Sequence, residues 1–101
     1  MVEIRWTEQA ADDLEAIAEF IANDSPHYAS LFCIDILAAV ERLVVFPDRG
    51  RVVPEWSNPN VRELILGNYR IIYRRREDVV EILSVYHSSR LLDPEILKNS
   101  E

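Results

Sequence analysis

Two stretches late in the chain hold the side chains best suited to chemistry: Arg70 in "GNYRIIYR", and Tyr86, His87 and Arg90 in "VYHSSR". Together with Glu63 they could cut RNA through its own 2′-hydroxyl. That reaction needs a base, a stabiliser for the pentavalent phosphate and an acid for the leaving oxygen. His87 or Glu63 would serve as base, Arg70 and Arg90 as stabilisers, and Tyr86 or His87 as acid. Each residue also has a plainer reading. Glu63 and Arg70 can be a surface ion pair, and a histidine at a strand end is often structural. Metal chemistry is not indicated, because His27 and His87 lie 60 residues apart and the single cysteine, Cys33, fits no ligand spacing. Cys33 sits in the apolar run "SLFCIDIL", where a buried thiol is expected. With no glycine-rich phosphate loop and no nucleophile elbow, no cofactor is called for.

A second use of the same residues is recognition. Trp56, in "PEWSNP", would anchor a partner if exposed, or plug the sheet edge if not. Arg70, Arg74, Tyr86, His87 and Arg90 would complete the contact surface.

Composition bounds these options. At 101 residues the chain is expected to be one domain, residues 1–101. Hydrophobic residues make up 49% and charged ones 29%, as in ordinary globular proteins. No apolar run approaches the ~20 residues that span a membrane. The N-terminus does not read as a signal peptide, so a cytoplasmic location is expected. The net charge of −7 argues against a dedicated nucleic-acid binder. Its distribution is uneven: residues 1–47 carry nine acids against Arg5 and Arg42, while residues 61–90 carry six arginines against four acids. Two faces with different tasks would explain this.

The elements that position these residues follow from periodicity and punctuation. "VEIRW" alternates as a short strand. Thr7 then caps a helix whose stripe is Ala11, Leu14, Ile17, Ala18 and Ile21. "NDSP" ends it, and Ser25 with Pro26 opens a second helix running to about Phe46. In that helix Leu31, Ile34, Leu37, Ala38 and Glu41 are in phase. Being apolar on more than one side, it is expected to pack on both the sheet and its sister helix. Pro47 and Gly50 end it, and "DRGRVVPEWSNPN" crosses to the sheet. Three strands follow, at 61–66, 69–76 and 79–86. Asp93 and Pro94 start a short C-terminal helix. The fold class is α+β, in the order β-α-α-β-β-β: a helical hairpin on a small, mostly antiparallel sheet.

Turn chemistry fixes which way the arginines point. Gly67-Asn68 suits a two-residue type II′ turn with glycine first. Leu66, Leu64 and Arg62 then oppose Tyr69, Ile71 and Tyr73, and this more apolar face is expected beneath the helices. Arg70 and Arg74 fall on the other face with Glu63. A second two-residue loop sets Glu81 opposite Arg74. It also sends Ile82, Ser84 and Tyr86 to the helix face, and Leu83, Val85 and His87 to the open one. On this register Arg70 and His87 are diagonal neighbours, about 7–8 Å apart at the backbone.

The segments "EIRWTEQAADDLEAIAEFI", "FPDRGRVVPE" and "VRELILGNYRIIYRRREDVVEILSVYHSSRLL", covering about residues 2–92, resemble the RelE/ParE superfamily of type II toxins. The most specific parts are "VRELILGNYRIIYR" and "ILSVYHSSR". The resemblance implies the α+β fold above and a cognate antitoxin, in a heterotetramer or larger assembly. One branch comprises ribosome-dependent mRNA interferases, and the ParE-like branch inhibits DNA gyrase without catalysis. Arg70 matches the arginine that follows a glycine–aromatic turn in both. The interferase lysines on the preceding strand are replaced by Arg62, Leu64 and Leu66. Ser88 stands where an arginine is usual, and Ile96 and Leu97 occupy the region of a late tyrosine. The match therefore favours the ParE-like branch, whose known role includes plasmid stabilisation. The expected partners are an antitoxin and gyrase. The alternatives are an interferase acting on ribosome and mRNA with Arg70, His87 and Arg90 as catalytic candidates, and a degenerate toxin kept only as antitoxin partner.

Overall fold

Thr7 sets where the first helix begins. Its hydroxyl accepts from Ala10 N–H at 3.1 Å, satisfying an otherwise orphaned helix donor, and donates to the Ile82 carbonyl at 2.8 Å. One side chain thus caps a helix and ties it to the sheet. The computed structural model describes residues 1–89. Strand β1 (Glu3–Trp6) leads to α1 (Glu8–Asp24), α2 (Pro26–Glu41) and a single 3₁₀ turn, Arg42–Val44. Then come β2 (Arg51–Val52), β3 (Val61–Leu66), β4 (Tyr69–Arg76) and β5 (Val79–His87). Ser25 closes α1 through its backbone and caps α2 through its hydroxyl, which accepts from Tyr28 N–H at 3.2 Å. The second helix ends at Glu41, earlier than the expected Phe46, where the last turn tightens into 3₁₀ geometry.

The strands form one sheet in the order β1-β5-β4-β3-β2, parallel only between β1 and β5. Strand β2 is an addition to the expected set. It has two residues, too few for periodicity to reveal. The C-terminal helix expected from Asp93 and Pro94 lies outside the described residues, as does Arg90.

Both turns have two residues. Gly67 has φ 60, which glycine takes without a Cβ penalty. The register between β3 and β4 is the one read from the turn, with Arg62↔Tyr73, Leu64↔Ile71 and Ile65↔Arg70. Ile71, Tyr73, Val80, Ile82 and Val85 bury against Ala10, Ile36, Ala39 and Val40 of the helices.

Strand β5 departs from the expected register. Its pairing starts as expected, with Glu81 opposite Arg74 and Ile82 opposite Tyr73. A bulge follows: Ile72 pairs with Ser84, and Leu83 is the extra residue. One inserted residue reverses the parity of everything after it. Val85 and His87 therefore lie with Ile71 and Tyr69 towards the helices, and Tyr86 lies opposite Arg70 on the far face. Tyr86 and His87 exchange the faces the even ladder gave them.

Nor is the far face open. Residues 53–60 fold across it, and Val53 is fully buried with Val61, Ile72, Leu83 and Tyr86, while Trp56 packs against them.

Helix α2 also turns differently from expectation. Ala29, Ile36, Ala39 and Val40 take the core positions. Leu31, Ile34 and Leu37 face outwards, with Ile34 60% exposed. The helix packs on the sheet and on α1 and still leaves an apolar side uncovered.

Candidate functional site

Arg70 lies on the far face, as the turn at Gly67 dictates, but it is only 8% exposed. Burying an unpaired guanidinium is costly, and this one is matched on two sides. Glu63, fully buried at its side chain, takes its Nε. Glu55, in the 53–60 segment, takes both outer nitrogens, at 2.9 Å and 3.1 Å, a bidentate fork. Glu63 also accepts from Arg51, so opposite charges alternate in the chain Arg51–Glu63–Arg70–Glu55. The hydrogen bond to Glu55 is the main reason the guanidinium holds its proton even more tightly than usual, and the same bond holds the Glu55 carboxyl below its ordinary value.

Tyr86 underlies this arginine, with the Arg70 guanidinium carbon 5.3 Å from its ring centroid, within cation–π range. Its hydroxyl is buried without a hydrogen-bond partner among the described residues. Burial pushes its pKa up to about 12. Arg74 is equally buried and pairs with Glu81 at 3.3 Å, and Arg76 meets the same carboxylate at 3.2 Å.

His87 belongs to the opposite side of the sheet. Its ring stands edge-on to Tyr69 at 5.3 Å, and Tyr69 in turn packs on Phe32 of α2. Its Nδ1 lies 2.7 Å from Ser89 Oγ. His87, Tyr69, Phe20 and Ile17 line a cleft of about 470 Å³ beside α1. The sheet therefore separates His87 from Arg70. The reading that put Arg70 and His87 side by side is corrected by the bulge. Trp56 is half-buried in the segment covering Arg70, closer to the plug than to the free anchor.

Two residues that sequence reasoning did not single out organise these positions. Glu55 is one, and no spacing rule links it to an arginine 15 residues later. Asp13 is the other. Its Oδ2 accepts from Ser84 Oγ at 2.7 Å and from Val85 N–H at 3.2 Å, satisfying donors beside the bulge. Among the described residues no group of His, Cys, Asp and Glu could hold a metal ion.

The helical side is the chemical opposite of the sealed sheet face. Phe20, Tyr28, Ile34 and Leu37 are each at least half exposed, together with Val45 and Phe46 beyond α2. Between the helices runs a groove of about 530 Å³, lined by Trp6, Leu14, Cys33 and Leu37, with Glu15 and Glu19 also in its lining. Apolar patches of this kind on a small protein mark interaction surfaces.

The comparisons agree with this fold. The family model described as the ParE toxin of the type II toxin–antitoxin system parDE matches residues 4–92. The chain belongs to the ParE toxin family. Among curated relatives, the toxin RelE2 of Caulobacter vibrioides is 32% identical over 92 residues, covering 90% of this chain and all of the relative. The putative toxin Y4kP of Sinorhizobium fredii is 38% identical over 87 residues, covering 84% and 86%. A chain of the chromosomal ParDE toxin–antitoxin system from P. aeruginosa superposes with TM-score 0.71 at 28% identity, over 86% of this chain and 96% of that one. The run "FPDRG" joins the helices to the sheet. Tyr73, fully buried, donates its hydroxyl to the Pro47 carbonyl at 2.9 Å and accepts from Gly50 N–H at 2.8 Å. The motif is thus the clasp between helices and sheet.

Proposed function

We propose that this ParE-family toxin inhibits DNA gyrase through protein–protein contact and is neutralised by an antitoxin lying on the helical hairpin. What carries the reading is the separation of Arg70 from His87 by the sheet. A general acid or base and a phosphate stabiliser must reach one reacting phosphate. Here they lie on opposite faces, and the arginine's fork is filled by Glu55 and Glu63. Messenger cleavage through these two residues is thereby disfavoured. The net charge of −7 points the same way, since RNA and ribosome contact leans on cation–phosphate attraction.

For the antitoxin, the apolar band of α2 and the acidic-lined groove beside it match an amphipathic helix with apolar anchors and basic flanks. The relative from P. aeruginosa is part of a toxin–antitoxin system by its own description, which supports the same kind of partner here.

The test uses the purified chain in two assays. Added to gyrase and relaxed plasmid, it is expected to block supercoiling, and the product of the neighbouring reading frame is expected to restore it. Added to translating ribosomes, it is expected to leave messages intact. Cut messages that become whole with Arg70→Ala would reverse the assignment in favour of the interferase. Silence in both assays with tight antitoxin binding would make it a toxin without a target.

A further inference from the structure

The 53–60 segment rests on the sheet at two kinds of contact. Val53 and Trp56 supply apolar packing, and Glu55 alone supplies charge, with its side chain 44% exposed and its two oxygens on the outer nitrogens of Arg70. Beneath it lies a donor with no acceptor: the Tyr86 hydroxyl, in a residue only 8% exposed and without a hydrogen-bond partner among the described residues. The Arg70 fork and this hydroxyl together are a set of donors for an oxyanion, and a carboxylate from the protein itself occupies the fork.

We propose that Glu55 is an internal latch. Its carboxylate holds the 53–60 segment closed over the sheet, and the Arg70–Tyr86 donors meet an outside oxyanion only when that segment lifts. The inference is independent of whether gyrase is the target.

Three details support a latch over a permanent structural bridge. Of the two carboxylates on Arg70, Glu55 is the exposed one, its side chain 44% exposed against 0% for Glu63, so it can leave while Glu63, shared with Arg51, stays in place. The segment's backbone bonds to the strands are Val53 N–H to the Val61 carbonyl, and Arg75 N–H and Val61 N–H to the Asn60 and Asn58 carbonyls near its C-terminal end, while Trp56 and Ser57 N–H bond only within it, to the Val53 carbonyl. Ser57 carries φ 49, a conformation costly for a residue with a Cβ. Local opening draws on such weakly held segments.

The test is amide hydrogen exchange on the full chain, with inorganic phosphate as the probe oxyanion. In Glu55→Ala, the amides of Val53, Trp56 and Ser57 are expected to exchange faster, and those of β3 and β4 at the original rate. Phosphate affinity should rise by about tenfold or more, the scale of one charge-assisted hydrogen bond no longer competed for. Adding Tyr86→Phe to that variant should reverse part of the gain. Glu55→Asp keeps the charge on a shorter arm and should fall between, which keeps the question open to measurement if the alanine variant does not fold. The latch is overturned if exchange in the segment is unchanged in Glu55→Ala, or if the original chain binds phosphate as tightly as the variant. It is overturned equally if Glu55→Asp matches the original in both readouts, or if β3 and β4 accelerate together with the segment.

Discussion

Two tyrosines show how one hydroxyl can carry opposite meanings. The hydroxyl of Tyr73 is fully used, donating to Pro47 and accepting from Gly50, and Gly50 itself has no room for a Cβ, which would stand 2.6 Å from the Glu63 carbonyl. Tyr73→Phe leaves a buried N–H and a partly buried carbonyl without this partner, and should cost about 1–3 kcal/mol in urea unfolding. The hydroxyl of Tyr86 has no such partner among the described residues, so Tyr86→Phe removes a buried group that gains nothing there and should be neutral or stabilising, by up to about 1 kcal/mol. Equal losses in the two variants would show that the Tyr86 hydroxyl is bonded after all. Burial raises both phenols, and alkaline pH tests the Tyr86 one directly. Burial raises the Tyr86 phenol from its ordinary 10.0 to about 12. The folded chain therefore keeps that proton over a range where the unfolded chain has released it. Stability is unaffected by this group below pH 10 and should fall as pH rises from there through about 12. Tyr86→Phe should remove that part of the slope, and the near-ultraviolet titration should lose one late-ionising tyrosine.

At the scale of elements, the bulge in β5 decides what shares a face. The helix-side residues run Val80, Ile82, Val85, His87, and the far-side residues run Glu81, Leu83, Tyr86, so both series step by three once where a regular strand steps by two. Asp13 of α1 holds that step by accepting from Ser84 and Val85. Asp13→Ala orphans both donors and should cost about 1–3 kcal/mol, with Asp13→Asn milder because its amide oxygen still accepts. Thermal unfolding checks the order, and an alanine variant as stable as the original would deny Asp13 this role. The same pair of hairpins shows where sequence is readable. Gly67-Asn68 is written in local turn chemistry, so the β3–β4 register and the side chosen by Arg70 could be read directly. The bulge depends on a carboxylate more than seventy positions earlier, and its only local trace is Ser84 amid apolar neighbours. The closing of the far face by Val53, Glu55 and Trp56 was hidden for the same reason. A loop's landing place is a tertiary fact, and Pro54 and Pro59 announce only that a loop exists. On α2, periodicity showed apolar residues on more than one side but not which side the core would take. The smaller set won, since Ala29 and Ala39 let the helix approach closely.

Across the whole molecule, the two sides answer charge and apolarity in different ways. On the sheet side each buried cation has an acid from the same chain: Arg70 has Glu55 and Glu63, and Arg74 has Glu81. That side asks for nothing from outside while the 53–60 segment is closed. On the helical side, large apolar side chains stand in water at the cost of solubility, and α1 and α2 carry eight of the chain's eighteen acids and no lysine or arginine. An isolated chain keeps such a surface only if something usually covers it. Exposed positions contribute little to folding, so Ile34→Ser with Leu37→Ser should shift unfolding free energy by no more than about 0.5 kcal/mol for each change. At the centre of a helix-in-groove contact the same pair should weaken antitoxin binding by about tenfold or more. Calorimetric titration of the neighbouring frame's product against both chains, beside urea unfolding of each, separates the two effects. Undiminished binding by a stably folded double variant would move the antitoxin off α2. A loss of stability matching the loss of binding would mean that these side chains belong to the core instead of the interface.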